Sequence, residues 1–446
     1  MKPPRLTLGQ AVELSGALLI IVGFRRVYSL FMSNGYLGPP FVFDISDTFM
    51  DWFNTAYWAH NGHAYDIWRT IYFPLSFVIT GLFGDPACYD RSPYDARDCD
   101  VVGIGFILTM YVACVAVAAA SFWRHDRSTV IPRTIAIALG GPMLYALERG
   151  QLIMLSFIAF VLLYGSLMRG RSWFVAAAAF MANTKVYLVF PLFALAVKRD
   201  WRLLELCLLG TLALYLVTLF IVGAGTPLQI AENLQNWFGI RLGTVWDEML
   251  YTTTYKPLLQ IDVYQYPVRD YIDQRLVDGA IIFIQIYVVL SRVLCWACIA
   301  LAWLHPRSIS TTRLVFFILM QSFINQNPGG YAITLIVFLV FMERARTPAT
   351  MIAVICAYLI CVPGDWTLVK LFDAQRQSWL SGRDVISEYV VPWGALIRPG
   401  IIAILLWSLA IDSLINVHRM MRDERPIFGL LPRRRALLPA AAAVAG

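Results

Sequence analysis

Charge is what this sequence is short of. Only 15% of its 446 residues are Asp, Glu, Lys or Arg, whereas 59% are hydrophobic and the mean hydropathy is +0.63. That balance excludes a soluble globular protein and points to a polytopic helical membrane protein. A basic block is also missing. The net charge is +7, but Lys and Arg come in twos and threes between apolar runs, so they report topology and exclude a nucleic-acid partner. Histidine is scarce, with 5 in the chain, and the one close pair, His60 and His63 in HNGH, has too weak a spacing to carry a metal site. No metal and no cofactor are expected. Nor does a small-x-small cleavage site precede Arg25 and Arg26. The first apolar run, about 12–32, therefore reads as a retained span with a cytoplasmic N-terminus.

Cysteine usage divides in two. Cys114, Cys207, Cys295, Cys298, Cys356 and Cys361 lie in apolar runs and read as packing residues. Cys88 and Cys99 flank the polar loop GDPACYDRSPYDARDCD, which the topology below puts on the oxidising side, so a disulfide between them is expected.

Basic loops fix the topology by the positive-inside rule. The span 101–123 ends at Arg124, Arg127 and Arg133, so the acid-rich segment 33–100 is one external loop, within which the apolar run 71–83 is too short to cross. A third span, 131–147, leads to an outer turn, Glu148-Arg149-Gly150-Gln151, and a fourth descends to Arg169 and Arg171. Segment 172–197 begins and ends beside basic residues yet is long enough for only one crossing. It therefore reads as a hairpin of half-helices broken at Asn183-Thr184-Lys185 and lining a water-filled cleft. A second short-limbed pair spans 312–341, with its turn at 325–330. Further external loops fall at 224–278 and 364–398, and a basic cytoplasmic tail, partly disordered, at 419–446. The expected fold is all-α: one transmembrane domain over 1–418 with about 10–12 membrane helices, short hairpins included.

Five basic residues fall within or beside apolar runs: Arg25, Arg26, Arg149, Lys185 and Arg292. Ionisable groups there are costly unless they face protein or water, and an excess of cations suggests an anionic ligand such as a lipid phosphate. The plainer account is that Arg25 and Arg26 snorkel to headgroups and that Arg149 pairs with Glu148. Asp44, Asp47 and Asp51 are spaced three and four apart, which puts them on one face of a helix, where like charges raise one another's pKa and favour a general base. As loop residues they would instead cap short helices. Trp52, Tyr57, Trp58, Tyr65 and Trp68 suit stacking on sugars or anchoring at the membrane interface.

Three stretches in order, DTFMDWFNTAYWAHNGHAYDIW with YFPLSF, RGQLIMLSFIAFVLLYGSLMRGRSW, and FMANTKVYLVFPLFALAVKRDWR, resemble the GT-C superfamily of integral-membrane glycosyltransferases. They are most similar to family 87, the polyprenol-phosphate-mannose-dependent mannosyltransferase group. The resemblance covers about residues 44–202. It implies an inverting enzyme in a bacterial cytoplasmic membrane, working on the outer face as a monomer, that moves a sugar from a polyprenyl phosphate to a cell-envelope glycan or glycolipid. It implies Asp51, or else Asp47, as the base. Lys185 would hold the donor phosphate, helped by Arg149 or Arg398 and by Gln151 and Arg26, while Trp52, Tyr57, Asn327 and Tyr331 would meet the acceptor. The chain departs from the family where Asn325, Gln326, Asn327 and Tyr331 stand in place of histidine, and where Pro74 stands without a second proline. The departures put mannose in question. A polysaccharide polymerase or ligase and a lipid-linked-sugar flippase are the alternatives.

Overall fold

The computed structural model describes residues 7–41, 45–168, 170–239, 252, 254–255, 273–325 and 329–424. It is mostly helical. Among the described residues five helices are long and apolar enough to cross a membrane: α1 (Leu8–Asn34), α5 (Val101–His125), α11 (Trp201–Val222), α13 (Gln274–Leu304) and α17 (Gly394–Glu424). At 1.5 Å per residue even the shortest, α11, extends ~33 Å, enough for a hydrocarbon core. Capping side chains set several of their starts. Thr7 and Gln10 form a capping box at α1, Asp100 accepts from Gly103 N at 2.8 Å at α5, and Asp200 accepts from Leu203 N at α11.

The remaining membrane elements are short or broken. The expected third span is two helices, α6 (Val130–Ala138) and α7 (Gly141–Glu148), bent by 40° at the break, where Pro142 stands in the first turn of α7. The expected fourth, α8 (Ile153–Tyr164), is only 12 residues long. Segment 171–197 breaks at Lys185 into α9 (Arg171–Thr184) and a descending limb made of a 3-10 stretch (Val186–Leu192) and α10 (Phe193–Val197). From their lengths each limb spans ~21 Å, short of a full crossing. The second short pair is α14 (Thr311–Asn325) and α15 (Ile333–Phe341), and an ion pair joins its two bases, Arg313 Nη2 to Glu343 Oε2 at 2.7 Å. Its limbs therefore start and finish at one end of the bundle. Helix α16 (Pro348–Cys361) packs against α17.

Three details differ from or add to the expected fold. The loop at 364–398 carries an antiparallel hairpin, β1 (Thr367–Ser378) and β2 (Arg383–Pro392), within an otherwise helical architecture. Tail residues 419–424 continue α17 instead of forming a separate segment. Arg133, assigned above to a basic inner loop, is 1% exposed inside the bundle. There it pairs with Glu13 at 2.5 Å, and Tyr358 Oη donates to the same carboxylate at 2.7 Å. Burial makes such a pair necessary, because either charge alone would lack compensation.

Candidate active site

The site assembles where the first long loop meets the turn between α7 and α8. A 3-10 turn (Ile45–Asp47) leads through Phe49 into α2 (Met50–Asn61), and this stretch docks on residues 148–151 by backbone bonds. Phe49 N donates to Glu148 O at 2.7 Å and Asp51 N to Arg149 O at 3.1 Å. Gly150 makes the docking close. Its φ is +61, and a Cβ there would lie 3.1 Å from both Phe49 O and Trp52 Cβ.

That docking sets a carboxylate–guanidinium cluster. Arg149 donates from Nη2 to Asp51 Oδ1 at 3.0 Å, from Nε to Asp51 Oδ2 at 3.3 Å, and from Nη1 to Asp47 Oδ2 at 2.9 Å. Gln151 Nε2 donates to Asp51 Oδ2 at 2.5 Å. Burial works against the charge of Arg149, but Asp51, Tyr145 and Asp47 more than offset it and hold the guanidinium well above its ordinary pKa. Glu148 is not the partner of Arg149. It is buried and accepts from Thr48 Oγ1 at 3.0 Å. The side chain of Asp51 stays 20% exposed, and its three accepted bonds leave one of about four lone-pair positions open. Gln151 is 2% exposed and its Oε1 is buried without a hydrogen bond.

A neighbouring scaffold holds the aspartates in place. Cys88 and Cys99 are bonded, with their Cα atoms 5.6 Å apart, which ties down α4 (Pro93–Cys99). From α4, Arg97 Nη1 donates to Ser46 O at 2.6 Å and to Thr48 O at 3.0 Å, bracketing Asp47. Trp379, just past β1, covers the same stretch: Phe49 meets it edge-on at 5.3 Å and Arg97 lies 5.2 Å from its ring. Sequence reasoning missed both Arg97 and Trp379, since each acts across a separation that no local spacing reveals.

Lys185 occupies the break in the half-helix hairpin. Its Nζ lies 3.1 Å from Tyr72 Oη, 4.3 Å from the Tyr72 ring and 5.5 Å from the Tyr331 ring. Among the described residues it pairs with no carboxylate. Tyr72 is fixed in turn, because Tyr65 Oη donates to Tyr72 O at 2.8 Å and Asn233 Nδ2, on α12 (Pro227–Gly239), donates to Tyr65 O and Thr70 O. Tyr331 stacks on Tyr145 at 6.0 Å, and it also feels the charge of Asp51. Tyr187, beside Lys185, keeps a buried hydroxyl without a hydrogen bond.

Other expected site residues fall elsewhere. Trp52 is 0% exposed and packs 5.2 Å from Phe106, so it cannot receive an acceptor. Its position in the first turn of α2 points it into the core. Arg398 pairs with Asp365 at 2.7 Å, and Arg26 lies 4.4 Å from the Trp366 ring, so these two cations form a second cluster at the base of the β hairpin. Tyr57 is half-buried and its hydroxyl reaches Arg91 O at 3.4 Å. Asn327 and Asp44 lie outside the described residues. The two histidines diverge: His60 stacks on Tyr89, with burial lowering its pKa, and His63 pairs with Asp66 at 2.9 Å. A cavity of about 780 Å³ lies away from this site, at the far end of α5. Compared with protein-family models, with curated proteins and with solved structures, the chain matches none.

Proposed function

We propose that the protein is an inverting glycosyltransferase that takes a sugar from a polyprenyl-phosphate donor, with Asp51 as base and Lys185 as the cation on the donor phosphate. The observation that carries this reading is the pairing of an accessible carboxylate, fixed by Arg149 and Gln151, with a lysine that lacks a carboxylate partner among the described residues at a helix break. The Tyr331 ring lies 5.5 Å from Lys185 Nζ, and Asp51 acts on its hydroxyl electrostatically.

The chemistry needs this separation of charges. The acceptor hydroxyl attacks the anomeric carbon, the bond to the phosphate oxygen breaks, and the electron pair leaves on the lipid phosphate. The hydroxyl proton passes to the open lone pair of Asp51. Its bonds to Arg149 keep that carboxylate aimed, and proton transfer comes late, as the attacking oxygen becomes acidic. Lys185 stabilises the charge that grows on the leaving phosphate, and the hydroxyls of Tyr72 and Tyr187 are donors of the right kind beside it. A long polyprenyl chain would lie along the apolar helices, with the acceptor arriving from the loop side. In the topology read from the basic loops, that is the outer face of the membrane.

The test is sugar transfer by full-length protein in nanodiscs, supplied with a panel of polyprenyl-phosphate sugars and a cell-envelope lipid extract. Wild type should form product, and Asp51→Asn should lose about 10²–10⁴-fold in rate, the range for a positioned base. Asp47→Asn should lose less. Consumption of no donor, or equal rates for wild type and Asp51→Asn, would contradict the proposal and favour a transport role.

A further inference from the structure

The cavity of about 780 Å³ lies at the opposite end of the bundle from Asp51. It is lined by Trp123, Arg124, Arg127, Ser166 and Leu167. Helix α5 gives the separation. Its N-terminal turn, at Gly103, abuts Trp52, and Arg124 lies 21 residues further along, or ~30 Å at 1.5 Å per residue. The end it occupies is the one that the basic loops mark as cytoplasmic.

The walls are built by specific contacts. Ser121 Oγ donates to Gly165 O at 2.8 Å, and a Cβ on Gly165 would lie 2.4 Å from that hydroxyl oxygen, so glycine lets the loop after α8 close onto α5. Arg124 Nη1 then donates to Leu167 O at 2.5 Å and to Ser166 O at 3.3 Å. Arg127 lies 5.0 Å from the ring of Trp123, which is itself 54% exposed. The one carboxylate in this stretch is already engaged: Asp126 accepts from Ser128 N at 3.0 Å and from Ser128 Oγ at 2.7 Å. Among the described residues neither Arg124 nor Arg127 forms an ion pair with a carboxylate.

Two guanidinium groups, an interfacial tryptophan and a cleft between helix ends share one place. The net positive charge calls for an anion, the tryptophan marks the headgroup level, and the size suits a headgroup. We propose that this cleft binds the phosphate of an anionic phospholipid from the leaflet facing the basic loops. Arg127 makes the direct contact and Arg124 positions the loop that closes the cleft. Basic pockets between membrane helices on the cytoplasmic side hold anionic headgroups in this way, whereas a zwitterionic lipid carries a cation that the arginines would repel. The site is independent of the glycosyl-transfer reading, since it shares no residue with the Asp51 and Lys185 groups.

The experiment is native mass spectrometry of the full-length, delipidated protein titrated with phosphatidylglycerol, phosphatidylcholine or glycerol phosphate. Wild type should bind phosphatidylglycerol in preference to phosphatidylcholine. Arg127→Gln should weaken that binding about tenfold, the effect of losing one charge-assisted contact, while Arg202→Gln, which removes an exposed charge elsewhere, should leave it unchanged. Equal binding of the two lipids, an Arg127→Gln variant that matches wild type, or an equal loss in Arg202→Gln would overturn the site. If glycerol phosphate binds as tightly as the lipid, the cleft takes a soluble anion and the lipid assignment fails. Arg127 is exposed, so its replacement should leave the fold intact, and an unchanged thermal unfolding midpoint checks this.

Discussion

Two arginine–carboxylate clusters stand in different parts of the molecule and are built to opposite ends. In one, Arg133 and Glu13 are 1% and 3% exposed, and Tyr358 and the Phe341 carbonyl take up further bonding capacity. In the other, Arg149, Asp51 and Asp47 are 19%, 20% and 36% exposed, and Asp51 keeps an open lone pair. Burial closes the first to any ligand, and it ties α1, α6 and α16 together. The second holds a carboxylate in place without saturating it. Accessibility and unspent bonding capacity separate a functional pair from a structural one more clearly than charge does.

The comparison can be broken by substitution. The largest effect on turnover is the Asp51→Asn loss given above, and it should come with a shift in unfolding of no more than about 1 kcal/mol, since a partly exposed pair contributes little. At the buried cluster the outcome reverses. Arg133→Ala should cost about 3–5 kcal/mol of stability, because Glu13 is left charged and unpartnered. A lowered thermal midpoint in nanodiscs reads this, and transfer by the molecules that remain folded should stay near wild type. Gly150→Val should fall between them. The strained φ and the contacts at 3.1 Å cost roughly 1–3 kcal/mol and displace Asp51, so stability and rate fall together. The smallest effect is expected of Tyr72→Phe. It removes one hydrogen bond to Lys185, about 1 kcal/mol, and should raise the apparent donor KM several-fold with kcat little changed. If Arg133→Ala abolished catalysis in well-folded protein, the distinction between the clusters would not stand.

How much of this was legible in the sequence depended on range. The break at Lys185 could be read because basic residues bracket a segment too short to cross twice. Cys88 and Cys99 could be paired because they flank one polar loop. The approach of Asp47 and Asp51 to Arg149 could not be read, and the sequence offered only Glu148, its neighbour, as a carboxylate partner. In the fold, the docking of Phe49 and Asp51 onto the turn aims Arg149 across a separation of about a hundred residues. Glu13 and Arg133 are 120 residues apart and sit beside stretches that look topogenic. The β hairpin did leave a signal. RDVISEYVVP alternates exposed and buried positions at its centre, the period of a half-buried strand, and Gly382 supplies φ +66 at the turn. Trp52 misled because it stands among aromatics that suit sugar stacking. Trp52 is turned inward by its position in the first turn of α2, whereas Trp68, in the loop beyond that helix, is 47% exposed and stacks 5.8 Å from Trp58.

The central claim is that the base and the phosphate-holding cation sit on separate elements, so that Lys185 contributes to donor binding and Asp51 to transfer alone. The most direct measurement is equilibrium binding of a polyprenyl-phosphate sugar, compared with single-turnover transfer, for Asp51→Asn and Lys185→Met in nanodiscs. The account predicts that Asp51→Asn binds donor within about threefold of wild type but does not transfer, while Lys185→Met loses about tenfold or more in binding. Loss of donor binding in Asp51→Asn, or full binding and turnover in Lys185→Met, would contradict it.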